Sequence, residues 1–510
     1  MPELKIQSIF RALAANAENK IEYYDGGELR HSSYRQLHDD VIAVADHLES
    51  LGIGSGDRVG IWLENEYFWV ALDLACLAIG AVSVPFHTTA EAFDVPAAIL
   101  RFDLIALFGP TEVYLAGGAS IRTLPRRALA DLPRGAVHGR GLAAWDEDVA
   151  FTIQSTSGTT GRPKAMAVAV KSITAFLDTI RALFAFNKDD KIIIFLPLSH
   201  LGQRCYVYGA IAFGFDILLA PAAELFTAFR KGRPTLLVGV PHFFEKLHET
   251  FKAAQTGDQI RLFLGGRMRL MLTGSAPIRK DVLERFHRMG LTIYEGYGTT
   301  ESGLITVNQP QAFRLGSVGR VIPNMEVRIG DDGEVLVRSQ FSWADRYLGD
   351  PAASRAVFGR DGFIHTGDIG TFDSDGFLYL HGRIKEMLVL SNGNKAHPSD
   401  IESCLLNAGN DVVQACAFAQ RDKVCAVVVA PEGVTLDRVD EQVARANRTL
   451  PRHLQIHRHI VAEEPFSFGN GLLTTNLKLN RPRILQMFLP RFSPMSLSAG
   501  EPRREASSGA

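Results

Sequence analysis

A chain of 510 residues has room for more than one domain and for a large core. Its 54 Lys and Arg stand against 56 Asp and Glu, a formal net charge of -2 at pH 7, so global charge implies no nucleic acid or other polyanion as partner. Five cysteines, at positions 76, 205, 404, 416 and 425, form no C-x-x-C pair and indicate neither a disulfide framework nor a zinc site; reduced thiols in the cytoplasm are the simplest reading.

Residues 1–20 alternate charged and apolar side chains and lack the uncharged apolar core of a signal peptide. The most apolar stretch, 206–222, carries Asp216 and is shorter than a membrane span. No transmembrane segment is expected, and peripheral membrane contact stays open.

In chain order, 34–51 places Leu37, Val41, Val44, Ala45 and Leu48 at helical spacing and stops at Gly52. A strand at 57–63, a helix at 69–79 and a strand at 81–85 follow. This rhythm predicts an α/β domain with a largely parallel sheet. Between 111 and 147 Gly, Arg and Pro accumulate, which predicts a loop-rich link. A buried strand at 149–154 then runs into Ser155-Thr156-Ser157-Gly158-Thr159-Thr160-Gly161-Arg162-Pro163-Lys164. Glycines let backbone N–H groups close on an anion, hydroxyls add neutral donors, and Lys164 supplies a point charge. That combination suits a phosphate, although the G-x-x-x-x-G-K-[ST] spacing is absent and a polar surface loop has the same composition.

Next come a helix (169–184), a strand (191–196) and a loop (197–204) holding His200 and Arg204. Further strand and helix units lead to a strand at 270–277 that ends in Gly274-Ser275-Ala276-Pro277, a helix at 279–289 and a strand at 291–294. From that last strand a loop emerges, Glu295-Gly296-Tyr297-Gly298-Thr299-Thr300-Glu301-Ser302-Gly303. Residues 316–380 are short β-type segments split by Asp-Gly turns at 332–333, 361–362 and 375–376. A domain change is expected near 382–386, giving a large domain over 1–383 and a small α+β domain over 384–490, with 491–510 a Ser-, Gly- and charge-rich disordered tail.

Loops at the carboxyl ends of strands in an α/β sheet are where ligands bind. STSGTTGRPK and EGYGTTES stand there, HTGD and GRIKEM near the domain change, and NGLLTTNLKLNR towards the end of the small domain, in that order. Together they resemble the adenylate-forming (AMP-binding) superfamily, with motifs most like those of long-chain acyl-CoA synthetases. The resemblance covers about 20–485 and implies a small, mobile C-terminal lid domain. It implies a two-step reaction in which a carboxylate attacks the α-phosphate of ATP and a thiol then displaces AMP.

By matching position, Thr156, Ser157, Gly158, Thr159, Thr160, Gly161 and Lys164 would hold the β- and γ-phosphates, and Thr300 the α-phosphate. Thr156 and Glu301 would hold Mg²⁺, a hard ion suited to oxygen ligands. Tyr297 would stack on adenine, with Gly274, Ser275, Ala276, Glu295, Gly296, Gly298 and Thr299 around it; glutamate at 295 is less usual than an amide. Asp368 would accept the ribose hydroxyls, reinforced by Arg383. Lys478 matches the mobile lysine that bridges the carboxylate and the α-phosphate, Lys385 the hinge, and Gly393 the tunnel for the thiol. His200 stands where amino-acid-activating domains carry an aspartate, and Gly298 where acetate-type enzymes carry a tryptophan. His200 thus implies an acid without an α-ammonium group and Gly298 an open acyl pocket, as for a medium- or long-chain fatty acid; the segment 251–264 is shorter than in the long-chain group, which leaves medium-chain or aromatic acids as alternatives. Coenzyme A is the expected acceptor. A carrier protein presenting the same phosphopantetheine thiol is the alternative, and a non-catalytic nucleotide sensor a remote one.

Overall fold

Two sheets frame the larger part of the molecule. In the computed structural model, residues 5–88, 93–115, 120–122, 143–156, 164–254, 256–389, 395–420, 423–467, 469–474 and 479–492 are described, in two compact units, Met1–Lys385 and Glu386–Ala510.

The seven-stranded sheet has the order Ser120–Arg122, Glu112–Leu115, Ala106–Phe108, Arg58–Ile61, Val82–Pro85, Ala150–Thr156, Lys164–Ala169. Its central pairings are parallel, and both edges are antiparallel. The strands Glu112–Leu115 and Ser120–Arg122 correct the expectation that 111–147 is only a loop-rich link. A pair of short edge strands is too brief to leave a period in the sequence.

The nine-stranded sheet runs Arg320–Val321, Gly303–Val307, Ile293–Thr299, Leu270–Thr273, Leu236–Gly239, Lys191–Ile194, Asp216–Leu219, Lys20–Asp25, Glu28–Ser33. From Leu270–Thr273 across to Asp216–Leu219 it is parallel, and these strands read as near-continuous apolar runs because both faces are covered. A four-stranded antiparallel sheet, Glu326–Ile329, Glu334–Arg338, Ile364–Phe372 and Leu378–Arg383, completes the unit. Two of its turns are Asp-Gly turns with glycine in the left-handed region, φ 85° at Gly333 and 79° at Gly376.

Local chemistry fixes the helices that matter below. Tyr34–Ser50 starts on a capping box in which Gln36 N–H donates to Ser33 Oγ and Ser33 N–H to Gln36 Oε1. Every residue of Tyr67–Ile79 is buried, including its one charge, Asp73. The chain leaves that helix at Gly80 with φ 82°, where a Cβ would also stand 2.7 Å from Ser55 Oγ.

Two expectations of the sequence change. The segment 197–204 is not all loop: the helix Leu201–Phe213 begins with His200 as its N-cap. Nor does the strand at 291–294 release a loop at Glu295. It continues to Thr299, parallel to Leu270–Thr273 through Glu295 and then antiparallel to Gly303–Val307, with a register shift at Tyr297/Gly298. The close antiparallel approach after that shift depends on Gly298, where a Cβ would lie 2.2 Å from the Gly303 carbonyl oxygen.

The smaller unit carries a three-stranded sheet, Gln414–Gln420, Lys423–Val429 and Ile456–Val461, with the helices Pro398–Asn407 and Leu436–Thr449. Apolar side chains from alternate positions of Lys423–Val429 enter two separate core clusters. Among the described residues no helix is long and apolar enough to cross a membrane.

Candidate active site

The Ser-, Thr- and Gly-rich stretch leaves one strand and enters another. Thr156 and Lys164 are register partners in the antiparallel pair Ala150–Thr156 and Lys164–Ala169. Ser157, Gly158, Thr159, Thr160 and Gly161 lie outside the described residues, as do Gly393 and Lys478.

Lys164 meets Tyr347, a residue that no local motif marks. Its Nζ stands 4.7 Å from the centre of the Tyr347 ring. The Tyr347 hydroxyl donates to Glu301 Oε1, and burial and the Glu301 charge both keep that phenol protonated. Backbone bonds tie the same segment to both neighbours: Ala344 N–H donates to Glu301 O (2.8 Å) and Leu348 N–H to Ala165 O (2.7 Å). Thr300 and Glu301 sit on the turn after Ile293–Thr299. That turn is closed by the Thr299 and Ser302 hydroxyls 3.0 Å apart and by Ser302 N–H donating to Thr299 Oγ1 at 3.1 Å.

Asp368 is buried in the strand Ile364–Phe372. Tyr297 OH donates to its Oδ2 at 2.7 Å, and Arg383 Nε to its Oδ1 at 3.0 Å. A carboxylate offers about four lone-pair positions, so two acceptor positions remain. The Tyr297 ring packs with Ile305, Val335, Val337, Ile364 and Leu378 and is only 7 % exposed. Most of the surface expected to stack on a base is therefore inside the core, and the hydroxyl is what the side chain presents to Asp368.

Gly274 faces Gly296 so closely that a Cβ on Gly274 would stand 2.8 Å from the Gly296 carbonyl oxygen. Next to it Ser275 takes φ 72°, a left-handed conformation uncommon outside glycine. These two strand ends thus meet backbone to backbone, with no side chain at Gly274 or Gly296 between them. Burial pushes the Glu295 carboxyl up to about 8, opposed by the Gly316 N–H. Near neutrality it keeps its proton and can donate and accept, as an amide does.

His200 lies at the carboxyl end of Lys191–Ile194, in a turn that Asn65 brackets through Nδ2 to Leu196 O and Oδ1 from Leu198 N–H, each 2.8 Å. Its imidazole is edge-on to His87, ring centres 4.6 Å apart. His87 Nδ1 shares a 3.0 Å hydrogen bond with Ser199 Oγ, and burial lowers the pKa of that ring. Gln154 Nε2 donates to Ser199 O at 3.0 Å, joining the strand Ala150–Thr156 to this turn. The one signal for His87 in the sequence is its place just past the carboxyl end of the parallel strand Val82–Pro85.

The residues present fit a magnesium ion that arrives with phosphates. Among the described residues no three His, Cys, Asp or Glu side chains converge as a cage, and Glu301 is a single carboxylate at a turn. Mg²⁺ is commonly held by one or two carboxylates plus substrate oxygens.

The chain belongs to the AMP-binding enzyme family, whose model matches residues 10–340; the model of the AMP-binding enzyme C-terminal domain matches 385–488. Among its relatives is the long-chain-fatty-acid–CoA ligase FadD15 of Mycobacterium bovis, 28 % identical over 88 % of this chain and 89 % of that protein. The peroxisomal long chain acyl-CoA synthetase 7 of Arabidopsis thaliana is 27 % identical over 92 % of this chain and 82 % of its own. In fold, the ATP-bound MatB of Rhodopseudomonas palustris is similar, with a TM-score of 0.78, 22 % identity and coverage of 95 % of this chain and 99 % of that one.

Proposed function

We propose that this enzyme activates a medium- or long-chain fatty acid with ATP as an acyl-adenylate and transfers the acyl group to the thiol of coenzyme A. The observation that carries the reading is the junction of Lys164, Tyr347 and Glu301: an ammonium group and a metal-suited carboxylate held by one ring at the exit of the Ser/Thr/Gly-rich stretch.

Two anions must meet at phosphorus, so the site needs cations and donors aimed where charge develops. Lys164 would face the β- and γ-phosphates, and Thr300 the α-phosphate. Glu301, with Thr156, would hold a Mg²⁺ that neutralises phosphate charge. Asp368 would accept the ribose hydroxyls on its two remaining acceptor positions, with Tyr297 and Arg383 fixing its plane. The backbone at Gly274 and Gly296 would flank adenine, and Glu295 would read its edge. His200, edge-on to the His87 ring, would face the acid. Lys478 would bridge the attacking carboxylate and the α-phosphate, and a swing about Lys385 would bring Gly393 to the thiol path. The long-chain names of the relatives support the choice of acid and of coenzyme A.

The test is ATP–pyrophosphate exchange with a panel of carboxylic acids, followed by acceptor trials with coenzyme A and holo carrier protein. Exchange that rises with chain length and thioester formed on coenzyme A are expected. No exchange with any acid would end the reading, and product on carrier protein alone would replace the acceptor.

A further inference from the structure

One buried charge ties the helix that follows His200 to the seven-stranded sheet. Arg204 is 1 % exposed, and its guanidinium touches four elements. Nη2 donates to Asp73 Oδ1 (2.5 Å), Ser83 Oγ (2.9 Å) and Tyr208 OH (2.9 Å), Nη1 to Thr152 Oγ1 (2.8 Å), and Nε to Asp73 Oδ2 (3.3 Å). The Tyr208 hydroxyl in turn donates to Asp73 Oδ2. The Thr152 hydroxyl donates to Ser83 O at 2.8 Å, and rings of Trp69 and Phe151 flank the cation at 5.5 and 5.6 Å.

Thr152 and Ser83 lie on adjacent parallel strands of the seven-stranded sheet, and are register partners there. Arg204 and Tyr208 lie on the helix Leu201–Phe213, which follows a strand of the nine-stranded sheet and begins at His200. Two residues beyond Thr152, Gln154 holds Ser199; Arg204 N–H points back to His200 O at 3.4 Å. Both the strand end that leads to Thr156 and the turn that bears His200 are thus registered against one guanidinium.

Apolar packing alone would join these elements, but it is non-directional. A buried ion pair adds little net stability over apolar residues of similar volume, so its presence in an otherwise apolar helix calls for another role. We propose that the Asp73–Arg204 pair is a positioning device: it fixes the end of Ala150–Thr156 against His200, and so sets the alignment of nucleotide and acid for adenylation. Arg204 itself touches neither substrate. The proposal rests on the acid-activating reading above.

The test uses the full chain and two variants. Asp73→Leu with Arg204→Met replaces the pair by apolar side chains, and Thr152→Val removes one hydroxyl while leaving the pair. Thermal midpoint, ATP affinity by calorimetry without acid, and the kcat of acid-dependent ATP–pyrophosphate exchange are measured. Small misplacements of reacting groups cost up to about 100-fold in rate. We expect exchange kcat to fall at least about tenfold in both variants, with ATP affinity within about threefold of the parent and each variant folded. If the double variant does not fold, Thr152→Val alone decides. Parental exchange in a folded variant would reduce the pair to a structural role. An ATP affinity that falls as much as the exchange rate would also overturn the proposal, because only nucleotide binding would then depend on it. Parental protein without exchange for any acid would remove the acid-activating reading, and the positioning role with it.

Discussion

Tyr297 and Asp368, 71 residues apart, are joined by a 2.7 Å hydrogen bond from the phenol to one carboxylate oxygen, inside a core that leaves 7 % and 8 % of them exposed. The other oxygen belongs to Arg383 at 3.0 Å. With a donor on each oxygen, the plane of the carboxylate is fixed.

Tyr297→Phe keeps the ring packing and deletes that donor. A hydrogen bond to a charged group contributes about 1.5–3 kcal/mol, so kcat/KM for ATP should fall about 10- to 100-fold. The KM for the acid should not change. Steady-state kinetics with each substrate varied in turn checks this, and equal effects on both substrates would remove Asp368 from the ribose.

Tyr347→Phe separates two functions of one ring. The aromatic face beside Lys164 survives, while the donor to Glu301 is lost. At a partly exposed site that loss is worth about 1 kcal/mol, which raises the half-saturating Mg²⁺ concentration about fivefold. Glu301→Gln should reduce kcat much further, since it removes the charge itself. Activity titrated against Mg²⁺ at saturating ATP distinguishes the two, and an unchanged Mg²⁺ dependence in Tyr347→Phe would break the link.

The parts that sequence made legible are those with local causes. Parallel strands buried on both faces read as apolar runs, Asp-Gly turns marked two hairpins of the four-stranded sheet, and Gly52 and Gly80 closed helices. His87 and Tyr347 were not legible, because nothing local marks them. Tyr347 meets Glu301 across 46 residues and His87 meets Ser199 across 112. The strand Ile293–Thr299 was cut short for a related reason: its glycines read as loop, whereas they permit the close approach of Gly303–Val307. Gly298 therefore answers first to the backbone opposite, before it says anything about an acyl pocket.

Glu295 supplies a test of pH dependence. Its carboxyl is raised from the ordinary 4.5 to about 8 by burial, so the folded protein binds that proton more tightly than the unfolded chain does. Its contribution to stability is fully present below about pH 4.5 and is lost as pH rises through about 8. Glu295→Gln should therefore unfold at a higher temperature than the parent at pH 9, with the gap narrowing on acidification and closing only below about pH 4.5. A gap that widened on acidification would mean that Glu295 is ionised and paired in the folded state.

In the smaller unit, Arg481 grips Glu402 with two 2.7 Å bonds and reaches Glu386 at 3.1 Å. Just before it, Asn480 N–H and Nδ2 hold Leu472 O and Gly471 O, each at 2.9 Å, and Leu473 bridges Leu479. Residues 471–473 are thus tied to 479–480. Arg481→Met should cost about 3–5 kcal/mol, because it leaves buried Glu402 without its cation, and calorimetry should show an earlier melt of the smaller unit. Lys478→Ala should melt with the parent. Its effect belongs to chemistry: pyrophosphate exchange should drop by about 100-fold or more, while thioester formation from supplied acyl-adenylate and coenzyme A continues. Equal losses in both half-reactions, with an unchanged melt, would take the bridging role away from Lys478.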